Sequence, residues 1–130
     1  MRQEKDSLGT LELPDDAYYG IQTLRAVQNY PISGLRAHPT FVRAYALLKS
    51  ACAKANEKAG ALDKEISKQI QEVCDEIIMS ELRDQFVVDV FQAGAGTSTN
   101  MNVNEVIANR ILEKRSAKRG DYATISPNDH

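Results

Sequence analysis

Glycines, hydroxyl residues and asparagines are concentrated in one segment, FQAGAGTSTNMNVN, which spans residues 91–104. Gly94 and Gly96 lack a Cβ atom, so the backbone there can take positive φ and a ligand can approach it closely. Three hydroxyl residues follow at the point where a helix is predicted to begin. A helix N-terminus presents unpaired N–H groups and a partial positive charge, so the segment is suited to bind a carboxylate or a phosphate.

Two glycine-rich nucleotide motifs resemble this segment, and neither fits it. A Walker phosphate loop needs Lys and then Ser or Thr after its second glycine, where Thr97 and Ser98 stand here, and a dinucleotide fingerprint needs a third glycine. An alternative without a ligand stays open, in which Gly94 and Gly96 make a tight turn and Ser98 or Thr99 caps the helix. Because asparagine is a poor helix former, three asparagines at alternate positions favour a functional role. They are Asn100, Asn102 and Asn104.

Helices are predicted to hold this segment in place. Residues 17–30 follow helical spacing, and Asp15 or Asp16 can cap that helix. A long helix over residues 39–60 and another after Asp63 each carry one apolar stripe at steps of four and three. The stripes consist of Phe41, Tyr45, Leu48, Cys52, Ala55 and Ala59 in the first, and Ile66, Ile70, Val73, Ile77 and Leu82 in the second. Joined by a short turn, they predict an antiparallel helical pair.

With the remaining segments included, the sequence predicts a mainly α fold. Residues 1–16 alternate weakly and break at Pro14, which predicts a short extended arm or hairpin that adds little to the core. Residues 85–92 are β-branched and aromatic and are predicted to be extended. A last helix runs from the glycine segment to Gly120. Its basic end is favoured as a solvated helix terminus over an anion site; the basic residues are Lys114, Arg115, Lys118 and Arg119.

Composition predicts one domain, residues 1–130, with 42% hydrophobic and 26% charged residues. A net charge of −2 gives no basic field, so we expect neither a nucleic-acid nor a membrane partner. No leader or long apolar run is visible, which makes the cytoplasm the expected location. Cys52 and Cys74 are interpreted as buried reduced thiols, and His38 and His130 lack ligand spacing. We therefore expect no metal and no cofactor.

Three stretches resemble signature segments of the aspartase and fumarase superfamily. GAGTSTNMNVNEVIANR, residues 94–110, is similar to the first signature of the family. YYGIQTLRA, residues 18–26, resembles its N-terminal segment, and SPNDH, residues 126–130, resembles the stretch after the third long helix. The matches occur in the family's order and cover nearly the whole chain. The resemblance implies the N-terminal helical domain of the L-aspartase-like fold.

Details within these stretches favour the ammonia-lyase branch of the family. Fumarases usually carry GSGT followed by Gln, whereas this chain has Ala95 and Ser98, and they tend to have Trp where Tyr18 and Tyr19 stand. The implied reaction is reversible anti-elimination of ammonia from L-aspartate, through an aci-carboxylate intermediate, to give fumarate. Fumarate hydratase is the alternative among enzymes. A non-catalytic helical module that binds a partner or a dicarboxylate is the alternative from another class.

The resemblance also implies which residues bind the dicarboxylate. Thr97, with Ser98 and Asn100 beside it, matches the substrate-binding hydroxyl and amide positions, and Gly96 lets the backbone close around the ligand. Arg25 lies in the matching QTLRA text and can hold a carboxylate bidentately, with an ordinary surface arginine as the alternative. For Asn102 and Asn104 a satisfied buried amide network is the alternative to a role in the site.

The resemblance also implies limits on what residues 1–130 can do alone, from the last matching stretch and from a catalytic loop that these residues lack. Asn128, Asp129 and His130 match residues that in fumarases contribute to an accessory anion site, but Ser126 replaces the usual histidine, and an N-cap turn is the alternative. The family's catalytic serine lies on a GSS loop that these residues lack, so we expect no catalytic residue here and no activity alone. The implied complete enzyme is a homotetramer whose sites combine three subunits.

Overall fold

The computed structural model describes residues 1–130 and consists of a β-hairpin followed by four α-helices. The strands are β1 (Arg2–Asp6) and β2 (Gly9–Leu13), which pair antiparallel with Glu4 opposite Leu11. The helices are α1 (Ile21–Asn29), α2 (Pro39–Lys58), α3 (Lys64–Ile78) and α4 (Thr97–Lys114). This arrangement confirms the predicted mainly α fold with an extended N-terminal arm. None of the helices is both long and apolar enough to cross a bilayer.

Helices α2 and α3 form the predicted antiparallel pair, and α4 packs against both. Asp63 caps α3 as expected, because its carboxylate accepts hydrogen bonds from the N–H groups of Glu65 and Ile66. The core between the helices is apolar, and Val73, Val106 and Ile111 are among the side chains that are fully buried in it. Most of the stability of these helices therefore comes from the burial of their apolar faces.

The prediction of which face of α2 is buried is wrong. Phe41 and Leu48 are 51% and 56% exposed, while Val42, Ala46 and Ala53 are buried. Small alanines let the neighbouring backbones approach closely, so the tighter interface forms on the alanine face and the larger apolar side chains stay outside. The prediction for Cys52 is wrong for the same reason, since it lies on the exposed side. Cys74 is buried as predicted, and that burial raises the pKa of its thiol to about 12.

The N-terminus of α1 also differs from the prediction. The helix begins at Ile21 with Gly20 as its N-cap, and neither Asp15 nor Asp16 caps it. The first N–H groups of α1 donate instead to two carboxylates that are distant in sequence, Glu4 and Glu105. These two carboxylates cap the helix in place of a local aspartate. The helix therefore begins at Ile21, and residues 17–20 lie outside it.

The prediction that residues 85–92 are extended holds only in part. Gln85 belongs to a 3-10 turn, residues 90–92 form a turn and a bend, and none of the segment is a strand. A 3-10 turn covers Arg83–Gln85, and the only sheet-like pairing that follows is an isolated bridge between Arg36 and Asp89. The amide of Asn102 replaces a partner strand, because it accepts from the N–H of Val87 at 3.0 Å and donates to the carbonyl of Gln85 at 2.9 Å. This contact ties the segment to α4.

Helix α4 is bounded differently from the prediction at both ends. It starts at Thr97 after Gly96, so neither Ser98 nor Thr99 is the cap, and it ends at Lys114 rather than at Gly120. Three of the four basic residues named above are held by side chains of the chain itself, while Lys118 is exposed. Lys114 pairs with Glu76, Arg119 pairs with Glu113, and the Arg115 guanidinium donates to Gln69.

Candidate dicarboxylate-binding site

The glycine segment makes a turn whose last residue requires glycine. Gly96 has φ of +82°, in the left-handed region that side chains with a Cβ atom rarely adopt, and α4 starts immediately after it. No side chain caps the start of α4. The first N–H groups of the helix therefore remain available to an external acceptor.

The side chains at the start of α4 have few partners within the chain. Thr97 is exposed, and neither its hydroxyl group nor that of Ser98 makes a hydrogen bond to another residue. Asn100 lies on the same helical face as Thr97, because residues three apart are neighbours on a helix surface. Its Oδ1 accepts a hydrogen bond from the Nζ of Lys49 at 2.6 Å. Thr97 and Asn100 thus lie on one open face beside α2.

The other asparagines of α4 are structural. Asn102 is buried and holds the segment before the glycines, as described above. Asn104 donates to the carbonyl of Pro127 at 3.0 Å, and Asn109 donates to the carbonyl of Tyr18 at 2.8 Å. For Asn102 and Asn104, the alternative of a satisfied amide network describes these contacts.

Arg25 lies near the start of α4 but is engaged elsewhere. It lines an open cavity of about 520 Å³ together with Ser98. Its guanidinium group donates to both carboxylate oxygens of Asp6, at 2.7 and 2.8 Å, and to the carbonyl of Gly9. The hydrogen bond from Arg25 lowers the pKa of the Asp6 carboxyl. The guanidinium thus fastens the hairpin to α1, and a bound carboxylate would have to compete with Asp6.

The C-terminal residues form a capped turn. Ser126 is the capping residue, because its hydroxyl group accepts hydrogen bonds from the N–H groups of Asn128 and Asp129. The Nδ1 atom of His130 accepts from the N–H of Ser126 at 2.9 Å. The predicted turn is present, with Ser126 in the capping role that was expected of Asn128 or Asp129. These residues line a cavity of about 280 Å³ together with Lys49 and Asn104.

The loop between α1 and α2 is fixed to the segment that leads into the glycines. Asp89 is buried and accepts hydrogen bonds from the N–H groups of Phe91, Ser33 and Gly34. These bonds, with that of Phe91 foremost, lower the pKa of Asp89 to about 2, so it remains a carboxylate near neutrality. The turn before α4 is therefore held from both sides, by Asp89 and by Asn102.

A buried carboxylate anchors the opposite side of α4. Glu105 is fully buried and accepts from the N–H groups of Gln22 and Thr23 and from the Thr23 hydroxyl group. Burial raises the pKa of Glu105 to about 7, and its hydrogen bonds partly oppose that increase. Glu4 accepts from the N–H of Ile21 and from the Tyr122 hydroxyl group. The two carboxylates fix the orientation of α1 relative to the site.

Sequence reasoning missed Lys49 and Glu105. A signal for Lys49 was present, because residues 42, 46, 49 and 53 follow helical spacing and the other three positions are buried apolar residues. Burial lowers the pKa of Lys49. For Glu105 the signal was a lone acid among the buried residues of α4, Val103, Val106 and Ile107. No group of three or more His, Cys, Asp or Glu side chains is placed to hold a metal ion.

Comparisons with known proteins agree with this fold. A family model described as lyase matches residues 9–130. An aspartate ammonia-lyase from a Bacillus species is 52% identical over 130 residues, covering all of this chain and 28% of that protein. A class II fumarate hydratase from Halobacterium salinarum is 51% identical over 129 residues, covering 99% of this chain and 27% of that protein.

A solved structure has the same fold as this chain. The fumarate lyase:delta crystallin from Brucella melitensis superposes with a TM-score of 0.95 at 55% identity, covering 99% of this chain and 30% of that one. The fold is thus that of the N-terminal part of a fumarate lyase. The chain belongs to the aspartase and fumarase superfamily of lyases. It spans less than a third of the length of these relatives.

Proposed function

We propose that this chain is the N-terminal part of an aspartate ammonia-lyase, and that the start of α4 is one wall of its substrate site. The observation that carries the proposal is the open turn at Gly96, followed by Thr97 and Asn100 on one face. A carboxylate of L-aspartate or fumarate lying there would accept hydrogen bonds from the first N–H groups of α4 and from these side chains.

In the proposed reaction, the main contribution of this wall is to stabilise negative charge on the substrate carboxylate. Removal of a proton from the carbon beside a carboxylate creates an aci-carboxylate with extra charge on its oxygens, and ammonia then leaves from the neighbouring carbon. Preorganised donors aimed at those oxygens lower the barrier, since they need no reorganisation during the reaction. The base that removes the proton lies outside these residues in this proposal.

The choice of ammonia over water as the leaving group rests on few residues. The Bacillus ammonia-lyase and the Halobacterium fumarate hydratase are almost equally similar to the chain. Ala95 and Ser98 in the glycine segment, together with the tyrosine pair before α1, support the ammonia-lyase. The similarity to the Halobacterium protein makes fumarate hydratase the second candidate.

The complete polypeptide that contains this chain is expected to convert L-aspartate to fumarate and ammonia. The assay follows fumarate absorbance with L-aspartate or L-malate as the only substrate, at matched concentrations. A much higher kcat/KM for L-aspartate supports the proposal. Preference for L-malate would instead establish the fumarate hydratase, and inactivity toward both would remove the lyase proposal.

Residues 1–130 alone are expected to leave a solution of L-aspartate unchanged, because in this proposal the catalytic base lies outside them and they hold one wall of the site. In the complete enzyme we propose a homotetramer, in which the exposed apolar side chains of α2, such as Phe41 and Leu48, are covered. The measurement compares fumarate formation by the purified chain with a protein-free control. Turnover by the chain alone would contradict the shared-site account.

A further inference from the structure

Lys49 makes one side-chain hydrogen bond, and its partner is Asn100 at the start of α4. Its Nζ donates to the Oδ1 of Asn100 at 2.6 Å, across 51 positions of sequence. No carboxylate lies within ion-pair distance of this ammonium group, whereas the cations Arg110, Lys114 and Arg119 at the other end of α4 are all paired with glutamates. Lys49 belongs to α2 and is partly buried. Its charge therefore acts on Asn100 without a neutralising partner.

This contact fixes which way the Asn100 amide faces. An ammonium group can only donate hydrogen bonds, so the amide must present its oxygen to Lys49 and direct its NH₂ group away. The Nδ2 of Asn100 meets only the sulfur of Met101, at 4.0 Å, which is a weak acceptor.

The other asparagines of α4 provide the contrast. Their Nδ2 atoms all donate to backbone oxygens within the chain, namely Gln85 O, Pro127 O and Tyr18 O. Asn100 is thus the asparagine of this helix whose N–H groups remain available, on the face that also carries Thr97.

We propose that Lys49 is a positioning residue for substrate binding, which holds the Asn100 amide with its NH₂ group directed at a carboxylate of the dicarboxylate substrate. This inference rests on the proposed function. A donor locked in its binding orientation loses little entropy when the ligand arrives, and the neighbouring charge polarises the amide and strengthens its N–H donors. Lys49 acts through Asn100 and does not itself touch the substrate.

The test is a double-mutant cycle on Lys49 and Asn100 in the complete polypeptide. K49M keeps most of the apolar stem and removes the donor, and we expect KM for the dicarboxylate to rise about tenfold while kcat falls about threefold at most. In an N100A background the same substitution is expected to change KM by less than about twofold, because the group that Lys49 orients is already gone. K49R keeps a cationic donor and is expected to restore most of the affinity.

The control is K54M, which removes an exposed lysine of the same helix and is expected to leave KM and kcat unchanged. An unchanged KM in K49M, or an equal effect of K49M with and without Asn100, would overturn the role of Lys49 while the lyase activity of the wild type stands. A wild-type polypeptide with no activity on four-carbon dicarboxylates would overturn both proposals. If K49M lowers the unfolding temperature, the N100A background decides the question, because a loss of folding would raise KM equally with and without Asn100.

Discussion

Thr97→Ala in the complete polypeptide is expected to lower turnover by about a hundredfold to a thousandfold, the usual cost of removing one donor to a developing oxyanion. Thr97 is the first residue of α4, and its hydroxyl group is exposed and bound to nothing else in the chain. It is therefore free to donate to the substrate carboxylate. Steady-state kinetics with L-aspartate provide the measurement.

The substitution is suited to separate function from folding. Alanine is a better helix former than threonine, and no hydrogen bond within the chain is lost, so the free energy of unfolding is expected to change little. Thr99→Ala is the matched control, because it removes the same atoms from the same helical turn at a residue that the site does not use. Wild-type kinetics in the Thr97 variant would exclude Thr97 from the site.

Gly20→Ala is expected to destabilise the fold by about 3 kcal/mol or more, since overpacking and broken buried hydrogen bonds add. A Cβ atom on Gly20 would lie 2.0 Å from a carboxylate oxygen of Glu105 and 2.1 Å from the hydroxyl oxygen of Tyr122. Both side chains are held by hydrogen bonds, so neither can move away without breaking them. The φ and ψ angles of Gly20, −116° and −165°, are open to alanine, so the cost is steric.

Chemical unfolding followed by circular dichroism measures this effect. Gly94→Ala is the control, because a Cβ atom there meets no atom within 4 Å. We expect the Gly94 variant to unfold at nearly the wild-type denaturant concentration and the Gly20 variant at a much lower one. Equal midpoints for the two variants would show that the Glu105 side chain is not packed against Gly20 as described.

Local sequence signals predicted the existence of the helices well and some of their boundaries poorly. The cap at Asp63 and the stripe of α3 were readable because both act within a few residues. The start of α1 was not readable, since its first N–H groups are capped by Glu4 and Glu105, 17 and more than 80 positions away. For α2, periodicity alone could not choose between two apolar faces, and close packing on Ala46 and Ala53 decided it.

The sequence indicated which residue types occur at the candidate site, but not which distant residues their side chains contact. Glycines followed by hydroxyl residues indicated an anion-binding helix start, and the structure has an uncapped helix N-terminus there. The different roles of the asparagines depend on distant partners: Val87 and Gln85 for Asn102, and Lys49 for Asn100. Such contacts form only when the helices pack, so no window of local sequence contains them.

A crystal structure of the complete polypeptide with succinate, a dicarboxylate that cannot undergo the elimination, would show directly whether the start of α4 forms a wall of the substrate site. We expect one succinate carboxylate at the start of α4, with oxygens within about 3 Å of the Thr97 hydroxyl oxygen and the Asn100 Nδ2 atom. Succinate bound in a site to which neither residue contributes would contradict the assignment of this wall.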